Sequence, residues 1–310
     1  MKHIPLAALA FALLAAIPAV AAAADPLTKP IPGDGPKRWN RPQTPMKIHG
    51  DTYYVGVAGL SAVLIRSDEG LILLDGALPQ SVPMIEANIR RLGFKVEDIK
   101  YILNSHAHFD HAGGIAALQR DSGAVVVASP SGAQGLKLGH AVTDDPQAGY
   151  AKEATWPPVT TEVRELRDGE TLRLGNVAVT AHDTFGHTPG STTWSWKSCE
   201  GDRCLDVVYA DSLNSISAPG FHYLADATHG DLAERFRSSI RKVAALPCDI
   251  LISVHPDVGG VDGKLRQAEK HAEPNPFVDA QACRVYAEHA GKLLDARIAE
   301  EKAAAAKATR

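Results

Sequence analysis

Hydrophobic positions in the first half of the chain form two kinds of pattern, compact runs typical of strands and wider spacings typical of helices. Three β-branched or apolar runs separated by glycines predict consecutive strands of a meander, at residues 52–57, 61–66 and 71–74. The pattern then alternates, predicting helices over 82–92 and 114–120 and buried strands over 99–103 and 124–128. Alternating strands and helices indicate a sheet covered by helices.

Residues 142–158 are rich in Asp, Pro and Ala and show no clear period, which predicts a long loop. After this loop, the pattern of strands and helices begins again. Further strands are predicted over 160–166, 172–174, 177–181, 192–196 and 205–209. A helix, a buried strand and a last helix complete the pattern, over 230–246, 249–254 and 279–297. Both halves run from strands to helix and strand, so we expect an α/β fold of two stacked units with their sheets face to face.

The N-terminus has the layout of a secretory signal peptide over residues 1–24. Lys2 precedes an apolar run over 4–20, and four alanines before Asp25 provide a small-residue cleavage site. We expect cleavage after Ala24 rather than membrane anchoring, because the apolar run is short for a span and no later segment can cross a bilayer. The mature protein is therefore expected in the periplasm, free of the membrane.

Two segments flank the folded body, which is expected over residues 47–298, and both differ from it in composition. Residues 25–46 contain six prolines, a density that predicts an extended N-terminal arm without regular structure. Residues 299–310 consist mainly of alanine and charged side chains. We expect this C-terminal tail to fray, because nothing in its sequence indicates a docking face.

The overall composition limits the classes of partner. With 310 residues, of which 45% are hydrophobic and 22% charged, the chain can bury a substantial core. Its 32 Lys and Arg are outnumbered by 36 Asp and Glu, so no basic surplus is present to neutralise phosphates, and no nucleic-acid partner is expected. The net negative charge and the lack of an apolar stripe favour a monomer.

The predicted export indicates that the four cysteines form disulfide bonds, because an oxidising compartment favours paired thiols. They allow three pairings. We favour Cys199–Cys204, which would close a turn, and Cys248–Cys283, which would tie the chain before the last strand to the C-terminal helix. Buried free thiols are the alternative, and a cysteine-ligated zinc ion is less favoured because the chain offers a better metal site.

That better site is a cluster on a predicted strand-to-helix loop, which contains His106, His108, Asp110 and His111. Packing cannot account for all four side chains, since each buried polar group needs a partner, and a divalent metal such as zinc suits imidazole and carboxylate ligands. His106 and His108 are two residues apart, so on an extended backbone they point the same way and can bind one ion. The other two can serve a second ion.

Two more histidines lie where a predicted strand gives way to a loop, a common place for catalytic groups. His187 lies in a Gly/Pro-rich loop, and His255 precedes a proline at the end of the last strand. The remaining eight of the 13 histidines are interpreted as surface or structural residues. Among these, His182 has a functional role as an alternative interpretation, because it is near His187 in the sequence.

The spacing H-x-H-x-D-H over residues 106–111, followed by glycine, resembles the signature of the metallo-β-lactamase-fold hydrolases, which His187 and His255 complete in order. Finer features of the chain resemble those of the exported subclass B3 enzymes. These features are Ser191 after Gly-His-Thr-Pro-Gly, the stretch 209–213, the spacing from 246 to 256 and the positions of the cysteines. The resemblance covers roughly residues 39–294 and implies the four-layer αβ/βα sandwich of that family.

The resemblance also implies the ligands of two zinc ions per chain. The first ion is expected on His106, His108 and His187, and the second on Asp110, His111 and His255. A hydroxide held by the two ions is expected to attack the carbonyl of a β-lactam, oriented by Asp110. The predicted function is therefore zinc-dependent hydrolysis of penicillins, cephalosporins or carbapenems, which gives antibiotic resistance.

In the family, hydroxyl side chains hold the carboxylate of the substrate, and these positions correspond to Ser212 and Asn214 here. Because Asn214 is an amide, it can still donate a hydrogen bond, although with different geometry. A capped turn is the alternative interpretation of both residues. Trp39 of the N-terminal arm is a candidate for the wall of the cleft.

Two alternative functions remain open. An exported lactonase or ester hydrolase of the same fold is the leading alternative, because in several such relatives an aspartate at the place of Asp211 bridges both metals. The sequence leaves open whether Asp211 contacts metal. Zinc storage without turnover is a different class of function. The mixed His/Asp ligand set, with open coordination positions, argues against storage, because storage sites usually close their coordination.

Overall fold

Seven strands form the first of two sheets in a computed structural model, which describes residues 25–226 and 229–308. They pair in chain order: β1 Met46–His49, β2 Thr52–Tyr54, β3 Val63–Ser67, β4 Gly70–Leu74, β5 Ile99–Leu103, β6 Val125–Ala128 and β7 Val163–Glu165. Pairing is antiparallel from β1 to β4 and parallel from β4 to β7, where helices make the longer connections that parallel strands need. The predicted signal peptide lies outside the described residues.

The second sheet contains five strands in the order β12-β11-β10-β9-β8. These are β8 Thr171–Leu174, β9 Val177–Asp183, β10 Thr192–Glu200, β11 Arg203–Ala210 and β12 Ile250–Ser253. Buried and partly exposed residues alternate along β9, as expected for a strand with one face in the core, whereas every residue of β12 is buried. Only β11 and β12 pair in parallel, and their carboxyl ends therefore lie at the same edge.

Eight α-helices are present in the described residues: α1 Asp34–Trp39, α2 Val82–Arg91, α3 Phe109–Ala112, α4 Ile115–Ser122, α5 Pro130–Leu138, α6 Ala233–Ala245, α7 Val261–Ala268 and α8 Ala282–Ala308. Residues of α2, α4 and α5 form one core cluster with the outer face of the first sheet, and residues of α6 and α8 form another with the second sheet. A third cluster, with Tyr54, Ile72 and Trp194, fills the space between the sheets. The predicted four-layer αβ/βα sandwich is thus confirmed.

Both favoured disulfides are present. Cys199 and Cys204 are register partners at the end of the β10–β11 hairpin, with Cα atoms 4.0 Å apart. Cys248 precedes β12 and is bonded to Cys283 of α8, with Cα atoms 6.3 Å apart, so this bridge joins the last strand to the last helix layer. The chain contains no free cysteine, and the alternative of buried thiols is therefore wrong.

Most predicted elements are present within a few residues, but one strand belongs to the other half. The run at 160–166 was assigned to the second round, whereas β7 pairs in parallel with β6 and ends the first sheet. The sequence does not show this, because an edge strand after a long loop can join either sheet. Helix α5 was not predicted, although Ser129 caps it and Pro130 begins it, which is a typical start signal.

Both flanking segments are more ordered than their composition predicts. The N-terminal arm contains α1, because Pro36 lies in the first turn of that helix, where its missing N–H needs no partner. The tail at 299–310 was expected to fray, but α8 continues to Ala308 and its Glu301 is buried. Alanine has the highest helix propensity, and Glu301 gives the last turns a fixed contact. None of the helices in the described residues is both long and apolar enough to cross a bilayer.

Candidate metal centre

The predicted metal ligands lie at one edge of the two sheets. His106 and His108 follow β5, Asp110 and His111 belong to α3, His187 lies between β9 and β10, and His255 follows β12. The ends of β5 and of β12 are brought together because the two sheets pack face to face. Asp211 follows β11 at the same edge, so all the strands that carry candidate residues end near one point.

The first group of candidate ligands consists of His106, His108 and His187. One nitrogen from each ring lies within 4.8 Å of the others, a separation that one ion can span. All three side chains are buried. The structure therefore brings together the three residues that the resemblance assigned to the first zinc ion.

The second group shares His106 and adds Asp110 and His111, again with ligand atoms within 4.8 Å. His255 borders this group: its Nε2 lies 3.1 Å from His111 Nε2 and 3.3 Å from Asp110 Oδ2. Two facing imidazole nitrogens at that distance need a proton or a cation between them. The arrangement brings His255 to the place predicted for it.

The residues fit a bound metal. His106 belongs to both groups, and its Nε2 is buried and has no hydrogen-bond partner among the described residues. Burial lowers the pKa of His106 and His111 well below the usual value, and burial followed by the neighbouring His106 and His108 lowers the pKa of His187 to about 3. Neutral imidazoles are the form that binds metal, and a set of imidazoles with one carboxylate suits zinc.

Groups behind the first set of rings fix their orientation. His106 Nδ1 donates to Asp211 Oδ1 at 2.6 Å, and His108 Nε2 lies 3.2 Å from both oxygens of Asp145. Burial lowers the pKa of His108, but the neighbouring Asp145, together with Asp110 and Asp211, raises it above the usual value. Such contacts hold an imidazole with its other nitrogen towards the ion. Asp145 was missed because it lies in the predicted loop at 142–158, far along the chain from His108.

Asp211 lies behind His106 rather than beside both groups. It belongs to neither set of clustered ligand atoms in the described part of the chain, and one of its oxygens is engaged by His106. Its second oxygen is buried without a hydrogen-bond partner among those residues. In this structure Asp211 therefore contacts the His106 ring directly, through the Nδ1 atom of that ring.

Another buried carboxylate, Asp75, accepts hydrogen bonds from the loop after β5. It accepts hydrogen bonds from the backbone and hydroxyl of Ser105, at 2.7 and 2.6 Å, and from the Tyr209 hydroxyl at 2.9 Å. Burial raises its pKa to about 7. Its Oδ2 also lies 3.7 Å from His111 Nδ1. Sequence reasoning missed Asp75, although an aspartate directly after the buried run of β4 was a usable signal.

Ser212 and Asn214 form a hydrogen-bonded pair next to the first group. Asn214 Nδ2 donates to Ser212 Oγ at 2.8 Å, and Asn214 Oδ1 accepts from the backbone of Ile216. The backbone carbonyl of Asn214 lies 3.3 Å from His187 Nδ1. Both side chains thus form part of a capped turn, and that turn is in direct contact with a metal-ligand candidate. By contrast, His182 lies on β9 and bonds to Ser195, away from these groups.

A cavity of about 250 Å³ adjoins His108, and the N-terminal arm and the loop at 142–158 enclose it. Its apolar lining includes Ile31, Phe109, Tyr150 and Trp156. The Trp39 ring lies 5.4 Å from that of His255, so the arm does cover the edge of the centre as expected. Mixed apolar walls beside convergent polar groups are typical of small-molecule sites.

Comparison with known proteins agrees with this geometry. The family model of the metallo-beta-lactamase superfamily matches residues 55–255. The solved Rm3 metallo-beta-lactamase is 48% identical, with 85% of this chain and 97% of that chain covered and a TM-score of 0.81. MEM-A1, a subclass B3 metallo-beta-lactamase from a soil metagenome library, is 50% identical, with 86% and 99% covered and a TM-score of 0.81.

A curated relative of a different activity also matches, over a shorter stretch. An N-acyl homoserine lactonase of Bacillus cereus is 35% identical over 77 residues, which cover 17% of this chain and 31% of the lactonase. The chain therefore spans less than a third of that relative's length. The long matches, together with the histidine-rich groups that suit zinc, show that this chain belongs to the metallo-beta-lactamase superfamily of hydrolases and is most similar to subclass B3.

Proposed function

We propose that this protein is an exported zinc-dependent β-lactamase, which hydrolyses the amide bond of a β-lactam ring. The observation that carries the proposal is the pair of buried ligand groups, which share His106, in a chain similar to subclass B3 β-lactamases over nearly their full length. Penicillins, cephalosporins and carbapenems are the substrates that we infer. Their hydrolysis would give antibiotic resistance.

The chain would hold two zinc ions. We assign the first to His106, His108 and His187, and the second to Asp110, His111 and His255. When bound, zinc supplies a Lewis acid and lowers the pKa of water to near neutrality. Three protein ligands at each ion leave a position open for a substrate, which distinguishes this arrangement from a closed storage site.

Asp110 is the residue that we place at the reacting water. Its Oδ2 faces His111 and His255, and burial in this cluster would raise the pKa of the carboxyl, but the surrounding histidines lower it well below the usual range. An ionised carboxylate can accept a hydrogen bond from the attacking water and orient its lone pair towards the carbonyl carbon. As the new C–O bond forms, the C–N bond of the ring breaks, and Asp110 would accept the proton of the water and pass it to the released ring nitrogen.

We propose that Ser212 holds the carboxylate of the substrate. Its Oγ already accepts a hydrogen bond from Asn214, so its own proton remains available to donate. The contact between Asn214 and His187 keeps this donor beside the first ligand group. Asn214 would then act mainly by orienting Ser212, since its amide is engaged by that hydroxyl.

Export is supported by the chemistry of the chain. Both pairs of cysteines are oxidised, which fits a compartment such as the periplasm. The signal-peptide pattern over residues 1–24 supplies the route. We propose a mature protein that begins after Ala24 and acts as a monomer on a small-molecule substrate.

The first test is hydrolysis of a carbapenem and a cephalosporin by the purified mature protein, followed by absorbance. Activity should disappear with a chelator, return with zinc, and be abolished in His108→Ala. His289→Ala, which changes an exposed histidine of α8, is the matched control and should keep full activity. Bound zinc is counted in the same samples, with two ions per chain expected.

The second candidate is a lactonase or ester hydrolase, which the stretch similar to N-acyl homoserine lactonases favours. The same preparation is therefore tested with an N-acyl homoserine lactone and a simple ester. Zinc-dependent lactone hydrolysis without β-lactam turnover would replace the first proposal by this one. Full zinc loading without any hydrolysis would instead indicate a storage protein.

A further inference from the structure

The chain between β11 and α6 borders the first ligand group, and its residues 211–226 contain neither helix nor strand. Its first part, residues 211–224, is called the site loop here. The loop includes the Ser212–Asn214 pair and contacts His187 through the backbone carbonyl of Asn214. A segment without internal secondary structure must be held by contacts with other elements if it is to keep one conformation.

Helix α8 provides these contacts at successive points along one side. The Tyr286 hydroxyl donates to the carbonyl of Asp211 at 2.9 Å and accepts from the amide of Leu213 at 3.3 Å. About three turns further on, the Arg297 guanidinium donates to Ser217 Oγ at 2.9 Å and to the carbonyl of Phe221 at 2.7 Å. The helix thus follows the loop rather than crossing it once.

Glu301 makes the last of these contacts. Its two oxygens accept the amide of Tyr223 at 2.9 and 3.0 Å, and Oε2 also accepts the amide of Leu224 at 3.0 Å. Arg297 Nε donates to Oε1 at 2.9 Å, so the two helix residues support each other. Glu301 is only 7% exposed, and a carboxylate buried to this degree is stable only when donors satisfy it, as they do here.

The far side of the site loop contacts His187 and its neighbour. The Tyr223 hydroxyl donates to the carbonyl of Gly186 at 3.0 Å, and His187 Nδ1 lies 3.3 Å from the carbonyl of Asn214. Gly186 has φ of 153°, and a Cβ there would lie 2.1 Å from the Phe236 ring, so its position is tightly confined. The contacts thus form a continuous path from α8 through the site loop to Gly186 and His187, and they restrict the orientation of the His187 ring.

We propose that Arg297 and Glu301 are positioning residues of the metal centre, which hold the site loop on α8 and thereby fix His187 and Ser212. The inference rests on the proposed function, because it assigns His187 to the metal and Ser212 to the substrate. Neither residue touches the reacting atoms. Their effect passes through Tyr223 to Gly186 and through the loop backbone to Asn214.

The test compares Glu301→Gln with Glu300→Gln in the full mature protein. The first change keeps the size of the side chain but replaces one acceptor oxygen by an NH₂ group, which then faces amide donors. The second removes the same charge from an exposed neighbour in the same helix. Hydrogen exchange of the site-loop amides, zinc retention against a chelator, and kcat and KM for one β-lactam are measured for each.

We expect Glu301→Gln to raise exchange of the Tyr223 and Leu224 amides by about tenfold or more, with core amides unchanged. Zinc retention should weaken, and KM should rise by more than kcat falls, because Ser212 loses its fixed position. Glu300→Gln should match the unaltered protein. Loop exchange and zinc retention equal to those of Glu300→Gln would overturn the inference.

Two further outcomes keep the test decisive. If Glu301→Gln does not fold, Arg297→Lys replaces it, since lysine keeps the charge but cannot reach Glu301, Ser217 and Phe221 together. Normal exchange and zinc retention in that variant would also overturn the inference. If the unaltered protein shows no β-lactam turnover, the proposed function fails, while exchange and zinc retention still decide whether α8 positions the site loop.

Discussion

The two ligand groups of the centre are built in different ways. The second group takes Asp110 and His111 from one short helix, α3, so most of it comes from a single local stretch. The first group takes ligands from two distant loops, and separate groups lie behind its rings: Asp211, Asp145 and the carbonyl of Asn214. The first group should therefore respond to changes far from its ligands, and the second to changes within its own motif.

The largest effect should come from Asp110→Asn, which acts on the second group alone. Loss of the carboxylate removes both a ligand and the proposed acceptor of the water's proton, so kcat/KM should fall by about 10³-fold or more. Bound zinc should drop towards one ion per chain, since the first group keeps its three histidines. Asp202→Asn, in the exposed β10–β11 turn, is the control. Unchanged zinc content would show that Asp110 is not a ligand.

Asp145→Asn tests the first ligand group, whose His108 contacts Asp145. The His108 ring loses its charged partner but remains in place, so affinity for the first ion should weaken by about 10- to 100-fold. Competition with a chelator measures this, and the second ion should be retained. Asp144→Asn changes the exposed neighbouring residue and should leave affinity unchanged. Equal losses in the two variants would indicate an effect of charge in general rather than of the contact with His108.

Acidification should act through His187 in the metal-free protein. Burial, together with the neighbouring His106 and His108, lowers its pKa from 6.5 to about 3. Below pH 6.5 the unfolded chain binds a proton that the folded chain does not, so the free energy of unfolding should decrease as pH falls from 6.5 towards 3. The decrease is about 1.4 kcal/mol per pH unit from this residue.

Urea unfolding of chelator-treated protein between pH 7 and pH 5 measures the slope. His187→Asn should give a smaller slope, and His289→Asn, on the exposed side of α8, should not. The same slope in all three proteins would mean that His187 is accessible to protons in the folded state. Zinc should shift the transition to lower pH, since the metal competes with protons for the same nitrogens.

The smallest effect is expected from Ser212→Ala, which leaves both ligand groups intact. Loss of one hydrogen bond to a substrate carboxylate should raise KM by about tenfold, with little change in kcat. Two zinc ions should still be bound. Ser215→Ala, on the same loop, is the comparison variant. A fall in kcat with constant KM would instead place Ser212 in the transition state.

Much of the fold and of the ligand set could be predicted from local patterns. The residues of β6 are all apolar, and those of β5 and β12 are mostly apolar, with Lys100 and Ser253 as the polar exceptions. The spacing over residues 106–111 places several ligand types close together in the chain. These signals are local, because strand and helix periodicity and the chemistry of imidazole do not depend on distant residues. The disulfide Cys199–Cys204 could be predicted for the same reason, since the two cysteines are only five positions apart in the sequence.

Other features depended on which segments meet. Asp145 and Glu301 have no unusual sequence neighbours, yet each is a buried carboxylate satisfied by donors from elsewhere in the chain. Asp75 follows a buried strand, which is a local signal, but its donors Ser105 and Tyr209 are also distant in the chain. The assignment of β7 to the first sheet and the continuation of α8 through an alanine-rich tail were decided by the same kind of contact.

The sequence alone determined the α/β layers, the local cysteine pair Cys199–Cys204 and the residue types of the metal centre, because each follows from local periodicity, spacing or ligand chemistry. Only the tertiary structure decided which carboxylate lies behind which imidazole, and how the site loop is held. A buried charge is stable only next to its donors, and these donors become neighbours only when the sheets and helices have packed.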